Sequence, residues 1–311
     1  MNSFLRSIYQ STVVMSTPLI LASLGGLITY HSGIVNVAME GLMLASAFVA
    51  VVFSYLFASS GTGLLAAIII SVILSVLYSF FVTTLKTNNF AIGIAINIFV
   101  SSLTLFLTRI LFVGQNAFNS PKIKALPVLK IDFGVKILNT LFSGYSILVY
   151  LAVILTFAIA YLIYKTPFGL WVRAAGSYPD ALSTAGKHVS AIQYATSVLT
   201  GIMCGLAGAQ ISLSNVVLFS RDMSAGRGFI CLAAILISRG KPKTTLLVSI
   251  LFGFFDALSI QLQALNIPTQ FLFMLPYVMA ILTLALMDSM VRKKRLETKP
   301  EPLENSGVSS R

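Results

Sequence analysis

Two acids set inside apolar stretches are the residues in this sequence best placed to do chemistry: Glu40, in HSGIVNVAMEGLMLASA (31–47), and Asp256, in LFGFFDALSIQLQ. An ionisable side chain at bilayer depth is costly and is kept for proton relays, ion pairs or substrate paths. Asp256 is the better candidate for a proton relay, with Glu40 next. Each also has a bland reading. A carboxylate near a helix start is favoured by the helix dipole, which for Glu40 weighs equally with lining a path. Asp256 reads as a packing or gating residue ahead of a ligand contact.

Other chemistries lack their residues. The histidines are His31 and His188, with no H-E-x-x-H and no Cys-x-x-Cys, so no zinc site is expected. SRGKPKTT (238–245) has a Gly-Lys but neither the upstream glycine nor the following Ser or Thr of a phosphate loop. GTG (61–63) is a turn, since no strand precedes it. No nucleophile stands beside a base, and no catalytic residue is assigned. Cys204 and Cys231 both lie in apolar runs and read as buried thiols rather than a disulfide framework.

The elements that must position these residues are membrane helices. Hydrophobic residues are 57% and charged residues 10% of the 311, and the mean hydropathy is +0.92, far above a soluble domain. A bilayer core of about 30 Å takes about 20 apolar residues per helix. Candidate spans are Thr12 to Tyr30, Gly41 to Ala58, Gly63 to Leu85, Phe90 to Val113, Tyr145 to Tyr164, Tyr194 to Ser212, Thr244 to Gln261 and Thr269 to Met287. A ninth run, Phe229 to Ser238, covers only about half the core and reads as a half helix. The expected fold is all-α: a polytopic helical membrane protein of about nine segments. Only Arg6 precedes the first run and no small-residue cleavage site follows, so the first helix is expected to be retained.

The net charge of +12 sits in loops and in the tail VRKKRLETKP, which favours membrane orientation over nucleic-acid binding. With the tail inside, the inner side holds Lys86, Lys165, Arg173, Lys187, Arg239, Lys241, Lys243 and the basic tail, and the N-terminus falls outside. The expected division is a transmembrane domain over 1–290, with an inner loop at 165–193, and a basic cytoplasmic tail over 291–311. Within the inner loop, PDALSTAGKHVSAIQ starts a short helix at Pro179 and Asp180. Its small residues offer a face that a soluble motor could grip; an ordinary amphipathic loop helix is the alternative.

EGLMLASA (40–47) and RGFICLAA (227–234) share a pattern: a charge, a glycine, then a small-residue apolar run, each after a kinked polar stretch. With five segments between them the second copy is upside down, the inverted-repeat design of transporters. Irregular backbone survives in lipid only where protein covers it or water reaches it, so SGIVNVAMEG is expected to be a broken helix beside a path. Polar residues of the apolar runs, Asn36, Asn97, Asn215 and Gln261, suit a neutral hydrogen-bonding solute. GIMCGLAGA and LASLGGL allow close helix contact around it.

Four ordered stretches, TPLILASLGGLITYHSGIVNVAMEGLMLASAF, RAAGSYPDALSTAGKHVSAIQYATSVLTGIMCGLAGAQ, GRGFICLAAILISRGKPKTTLLVSILFGFFDALSIQLQ and LPYVMAILTL, resemble the permease subunits of bacterial ABC importers of the ribose and branched-chain amino acid type, nucleoside and simple-sugar permeases most of all. The resemblance runs from about Thr17 to Leu284. It implies coupling to an ATPase through Arg173, Gly176, Pro179, Ala181 and Gly186, beside Asp180, within a family pattern RAxGxNPxAAxxxGI. Tyr178, Leu182 and Lys187 depart from that pattern and suggest a divergent partner. SGVVNIGLEG of the family maps onto Ser32, Gly33, Val35, Asn36, Glu40 and Gly41, and GRGF onto Gly226, Arg227, Gly228 and Phe229, with Arg227 either on the path or pinning the half helix.

The function so implied is a permease subunit of an ATP-driven importer in the bacterial inner membrane, with a nucleoside as substrate and a ribose-type sugar or branched-chain amino acid as alternatives. No cofactor is expected in this chain; ATP and Mg would be bound by a cytoplasmic ABC ATPase. The other partners implied are a second, related permease and an extracytoplasmic substrate-binding protein. A secondary transporter coupled to ions is the more distant alternative, and an intramembrane enzyme the most distant.

Overall fold

Apolar runs of bilayer length become helices because a helix satisfies its own backbone where no water can. The structure, a computed structural model, describes residues 3–112, 117–129, 143–263 and positions 274, 278, 279, 281–283 and 285. Its helices are α1 (Ser3–His31), α2 (Met39–Phe57), α3 (Ser60–Ser79), α4 (Asn89–Leu111), α5 (Ile147–Lys165), α6 (Pro167–Ser177), α7 (Pro179–Thr184), α8 (Val189–Gln210), α9 (Arg227–Ser238) and α10 (Pro242–Leu262). Among the described residues seven helices are long and apolar enough to cross a membrane, and α9 is a shorter apolar one. The expected span Thr269 to Met287 falls mostly, and the tail 291–311 wholly, outside the described residues. Helices α3 and α8 each end in a π-helical turn, Phe80–Thr84 and Ile211–Asn215.

Burial separates centre from rim. The apolar cores of α1 and α8 are 78% and 83% buried, against 22% for α4. Small residues let the central helices approach. A Cβ on Gly201 or Gly205 would stand 2.7 Å from the Cα of Val72 or Ile68 on α3, and Thr200 donates to the Gly25 carbonyl at 2.8 Å across α8 and α1. Both expected small-residue stretches are therefore helix contacts, where packing rather than the hydrophobic effect drives association in lipid. The rim shows apolar stripes, such as Leu65, Ile69 and Ile73 of α3 and Ile154, Phe157 and Tyr161 of α5.

The two ends of the bundle differ. One carries His31, Lys86, Lys165, α6, α7 and the α9–α10 turn, tied by His31 Nε2 to the Gly240 carbonyl at 2.7 Å and by the His31 ring edge-on to Tyr164. Lys86, Lys165, Arg173, Lys187, Arg239, Lys241 and Lys243 collect at this basic end. The other carries two short antiparallel pairs. Strand β1 (Ala117–Phe118) pairs with β4 (Phe219–Ser220), and β2 (Val128–Leu129) with β3 (Tyr145–Ser146).

Two units enter the bundle from opposite ends. Residues 32–38 climb from the basic end without helix and continue as α2 toward the far end, where Ser54 Oγ donates to the Lys124 carbonyl at 3.2 Å. Residues 216–226 descend from β4 and continue as α9 to the basic end. The helices thus start back to back and run apart, as the upside-down repeat predicts.

Candidate functional site

The site is the place where those two helices begin. Helix α9 has no acid in its first turn and no side-chain cap of its own; its N-cap is Gly226, with φ +74°. Its free amides are taken by α2 instead. Gly226 N donates to Glu40 Oε1 at 2.8 Å and Gly228 N to Oε2 at 2.6 Å. Glu40 also lies in the first turn of α2, so one carboxylate answers the positive ends of two helix dipoles. The contact requires Gly228, whose Cβ would collide with the Glu40 backbone.

The approach to α2 is fastened along its length. Gly33, at φ +87°, makes the turn that ends α1. Tyr78 Oη donates to the Val35 carbonyl at 2.9 Å. Asn97 of α4 serves both sides of the break: its Nδ2 donates to the Val37 carbonyl at 3.0 Å and its Oδ1 accepts from Gly41 N at 2.8 Å. Asn36 folds onto its own chain, with Oδ1 accepting from Ala38 N at 2.9 Å, while its Nδ2 is buried with no partner among the described residues. Unpaired backbone groups are expensive here, so an amide that bridges a donor and an acceptor is a natural splice for a broken helix.

Beside the junction lies a cavity of about 390 Å³. Glu40, Asn97, Ser101, Asp222 and Ser224 give it a polar lining, and Ile94, Ile98 and Phe229 an apolar one interleaved with it. Ser101 donates to Asp222 Oδ1 at 2.6 Å, and Arg221 pairs with Oδ2 at 3.2 Å in an exposed ion pair. Of the residues predicted to line a path, Glu40 and Asn97 meet at this cavity. Ser101, Ser224 and Asp222 were not foreseen. The available signal was Asp222 itself, a third acid close to an apolar run, in the kinked stretch that precedes the second repeat.

The other predicted residues lie elsewhere. Arg227 turns away from the cavity, with Nε on Asp256 Oδ2 at 3.1 Å and Nη1 on the Met223 carbonyl at 3.1 Å. Both members of this pair are mostly buried, so it fastens the start of α9 to α10. Asn215 accepts from Gln210 Nε2 at 3.3 Å in the π-helical turn after α8. Gln261 donates to Ser7 Oγ at 2.7 Å, joining the far ends of α10 and α1.

At the basic end, α6 and α7 form a separate platform over a small core of Val172, Ala175, Leu182 and Ile192. Thr166 caps α6 by accepting from Gly169 N at 3.2 Å, and Pro167 and Pro179 open the two helices. Pro179, Asp180, Ala181 and Gly186 are exposed. Arg173 lies over the Tyr164 ring at 5.6 Å. Gly176 faces its own chain: a Cβ there would collide with the His31 carbonyl and stand 2.8 Å from Gly33 N. The platform therefore touches the foot of the broken segment backbone to backbone.

With this geometry in view, the likenesses to known proteins are informative. Residues 8–287 match the family described as branched-chain amino acid transport system / permease component, and the chain belongs to that family. It is 31% identical over 299 residues to the guanosine ABC transporter permease protein NupQ of Bacillus subtilis, covering 90% of this chain and 91% of that one. It is 32% identical over 300 residues to the nucleoside ABC transporter permease protein NupC of Lactococcus lactis, covering 91% and 92%. A solved ABC transporter structure, described as metal-chelate type and inward-facing, shares the fold with a TM-score of 0.51 at 13% identity, over 93% of this chain and 87% of that one. The chain is thus a multi-pass permease of a transport system.

Proposed function

We propose that this chain is a permease subunit of an ATP-driven ABC importer that carries nucleosides across the bacterial inner membrane. Its likeness over nine-tenths of its length to permeases named for guanosine and nucleosides supports the substrate class, with a ribose-type sugar next and a branched-chain amino acid third. The basic end is cytoplasmic by the positive-inside rule. An ABC ATPase binds ATP and Mg and grips the exposed face of α7 around Pro179, Asp180, Ala181 and Gly186. No cofactor resides in this chain. A second, related permease completes the path, and an extracytoplasmic binding protein delivers substrate to the far end.

The observation that carries the mechanism is the seat of Gly176 against His31 and Gly33. A displacement of the α6–α7 platform passes through one backbone contact into residues 32–38 and on to the Glu40 junction. Two packed arrangements of that junction, selected by nucleotide state in the partner, would alternate access between the two sides.

The test is uptake of radiolabelled inosine, ribose and leucine in cells with and without the gene. Inosine uptake that depends on the gene, and survives collapse of the proton gradient while ATP is held, is the expected result. Gene-dependent uptake of ribose or leucine alone would overturn the substrate, and uptake that falls with the proton gradient would overturn the energy source.

A further inference from the structure

Helix α4 is a membrane span of 23 residues, and Ser101 sits about 18 Å along it at 1.5 Å per residue, near the middle of the bilayer core. Asp222 is bonded to it at that depth, and its side chain is half exposed, as is that of Arg221. Charged groups at mid-bilayer face water or protein, not lipid. The backbone that brings Asp222 there makes the same demand. Residues 221–226, between β4 and α9, are non-helical, and Asp222 and Ala225, both lining the cavity, hold φ of +49° and +47°. Irregular backbone at this depth must line a cavity or be covered. Three independent features of one face, its charge, its depth and its backbone, thus place the cavity on a watery path.

The lining is mixed. Ile94 and Ile98 present exposed apolar surface on the face of α4 that also carries Asn97 and Ser101, and the second repeat adds Phe229 and Asp222, one of each kind. A nucleoside has both kinds of surface: a flat apolar base and a sugar edge with adjacent hydroxyls. A carboxylate is the group that takes a ribose hydroxyl pair, because each oxygen accepts one hydrogen bond. Resting on the nucleoside reading above, we propose that this cavity is a substrate-binding step of the path, in which Asp222 accepts from the 2′ and 3′ hydroxyls, Ser101 orients the carboxylate, and the side chains of Ile94, Ile98 and Phe229 take the base. Glu40 does not compete for this role, since both its oxygens are held by the α9 amides. Asp222 can exchange the exposed Arg221 partner for sugar.

Ser102 lines the cavity and is exposed, whereas Cys204 and Cys231 are fully buried. A Ser102→Cys chain, assembled in membranes with its partners, therefore gains one reactive thiol at the site. Its rate of labelling by a water-soluble maleimide is read with inosine, 2′,3′-dideoxyinosine or neither. Inosine should slow labelling and the dideoxy compound should need at least about tenfold more, the scale of even one lost charge-assisted hydrogen bond. Adding Asp222→Asn should raise the half-protecting inosine concentration about tenfold, and Ser101→Ala about threefold, with membrane abundance unchanged. Absence of labelling, equal protection by both compounds, or protection indifferent to Asp222→Asn would each overturn the proposal. Uptake by cells carrying the unsubstituted chain separates the two readings: gene-dependent inosine uptake there without protection at Ser102→Cys sinks this site alone, whereas absence of gene-dependent inosine uptake by the unsubstituted chain sinks the nucleoside reading.

Discussion

Residues 32–38 and residues 216–226 each lead a non-helical backbone from one end of the bundle to a helix that starts in its middle, yet they are held in different ways. The first is clamped by Tyr78, by both ends of Asn97 and by its own Asn36, and most of it is buried. The second is tied by the β1–β4 pair and, at its end, by the Glu40 cap, and it holds three non-glycine residues in the left-handed region, Val217 before β4 and Asp222 and Ala225 beside an open cavity. One copy of the repeat serves as a fixed wall, and the other keeps strain and exposed charge, the features that collect where a chain binds or switches. The same covalent pattern can therefore be divided between scaffold and working part by what its neighbours donate.

Gly228→Leu attacks what the two copies share. Its side chain would enter the Glu40 backbone, and the expected outcome is loss of folded protein, read as membrane abundance and detergent melting; a normal level would refute the common junction. Asn97→Ala attacks only the clamped copy. It strips partners from the Val37 carbonyl and the Gly41 amide, each worth about 1–3 kcal/mol when left bare, so the melting temperature should fall by several degrees. A fall no larger than that of a surface substitution would remove the distinction between wall and working part. Val217→Gly acts on the other copy and should do the reverse: relief of a left-handed β-branched residue, less the flexibility of glycine, should stabilise by up to about 1 kcal/mol. A destabilised Val217→Gly protein would mean that this segment is not strained.

Much of the fold was legible because bilayer thickness converts apolar run length directly into helices. The run ending at Ser238 was recognisably too short, and α9 has 12 residues. Glu40 and Asn97 were legible as polar residues in apolar context. What they do was not, because a cap donated across 186 positions leaves no local trace. Arg227 and Asp256 stood out as charges, but their pairing depends on how α9 meets α10. Asp222 escaped notice since its stretch reads as a loop, and only the depth of Ser101 turns a loop acid into one at mid-bilayer. Gly176 matched a pattern associated with a partner protein, whereas in three dimensions its missing side chain makes room for its own chain at His31.

The cap on α9 also bears on how the protein is made. A twelve-residue helix is about 18 Å long, too short to be recognised and released into lipid as a span by itself. The amides of Gly226 and Gly228 take their acceptor from the carboxylate of α2. Synthesis delivers Glu40 long before Gly226, so the later helix start takes its cap from a part of the chain made earlier. A half-length span is completed by a neighbour's side chain rather than by its own run of apolar residues.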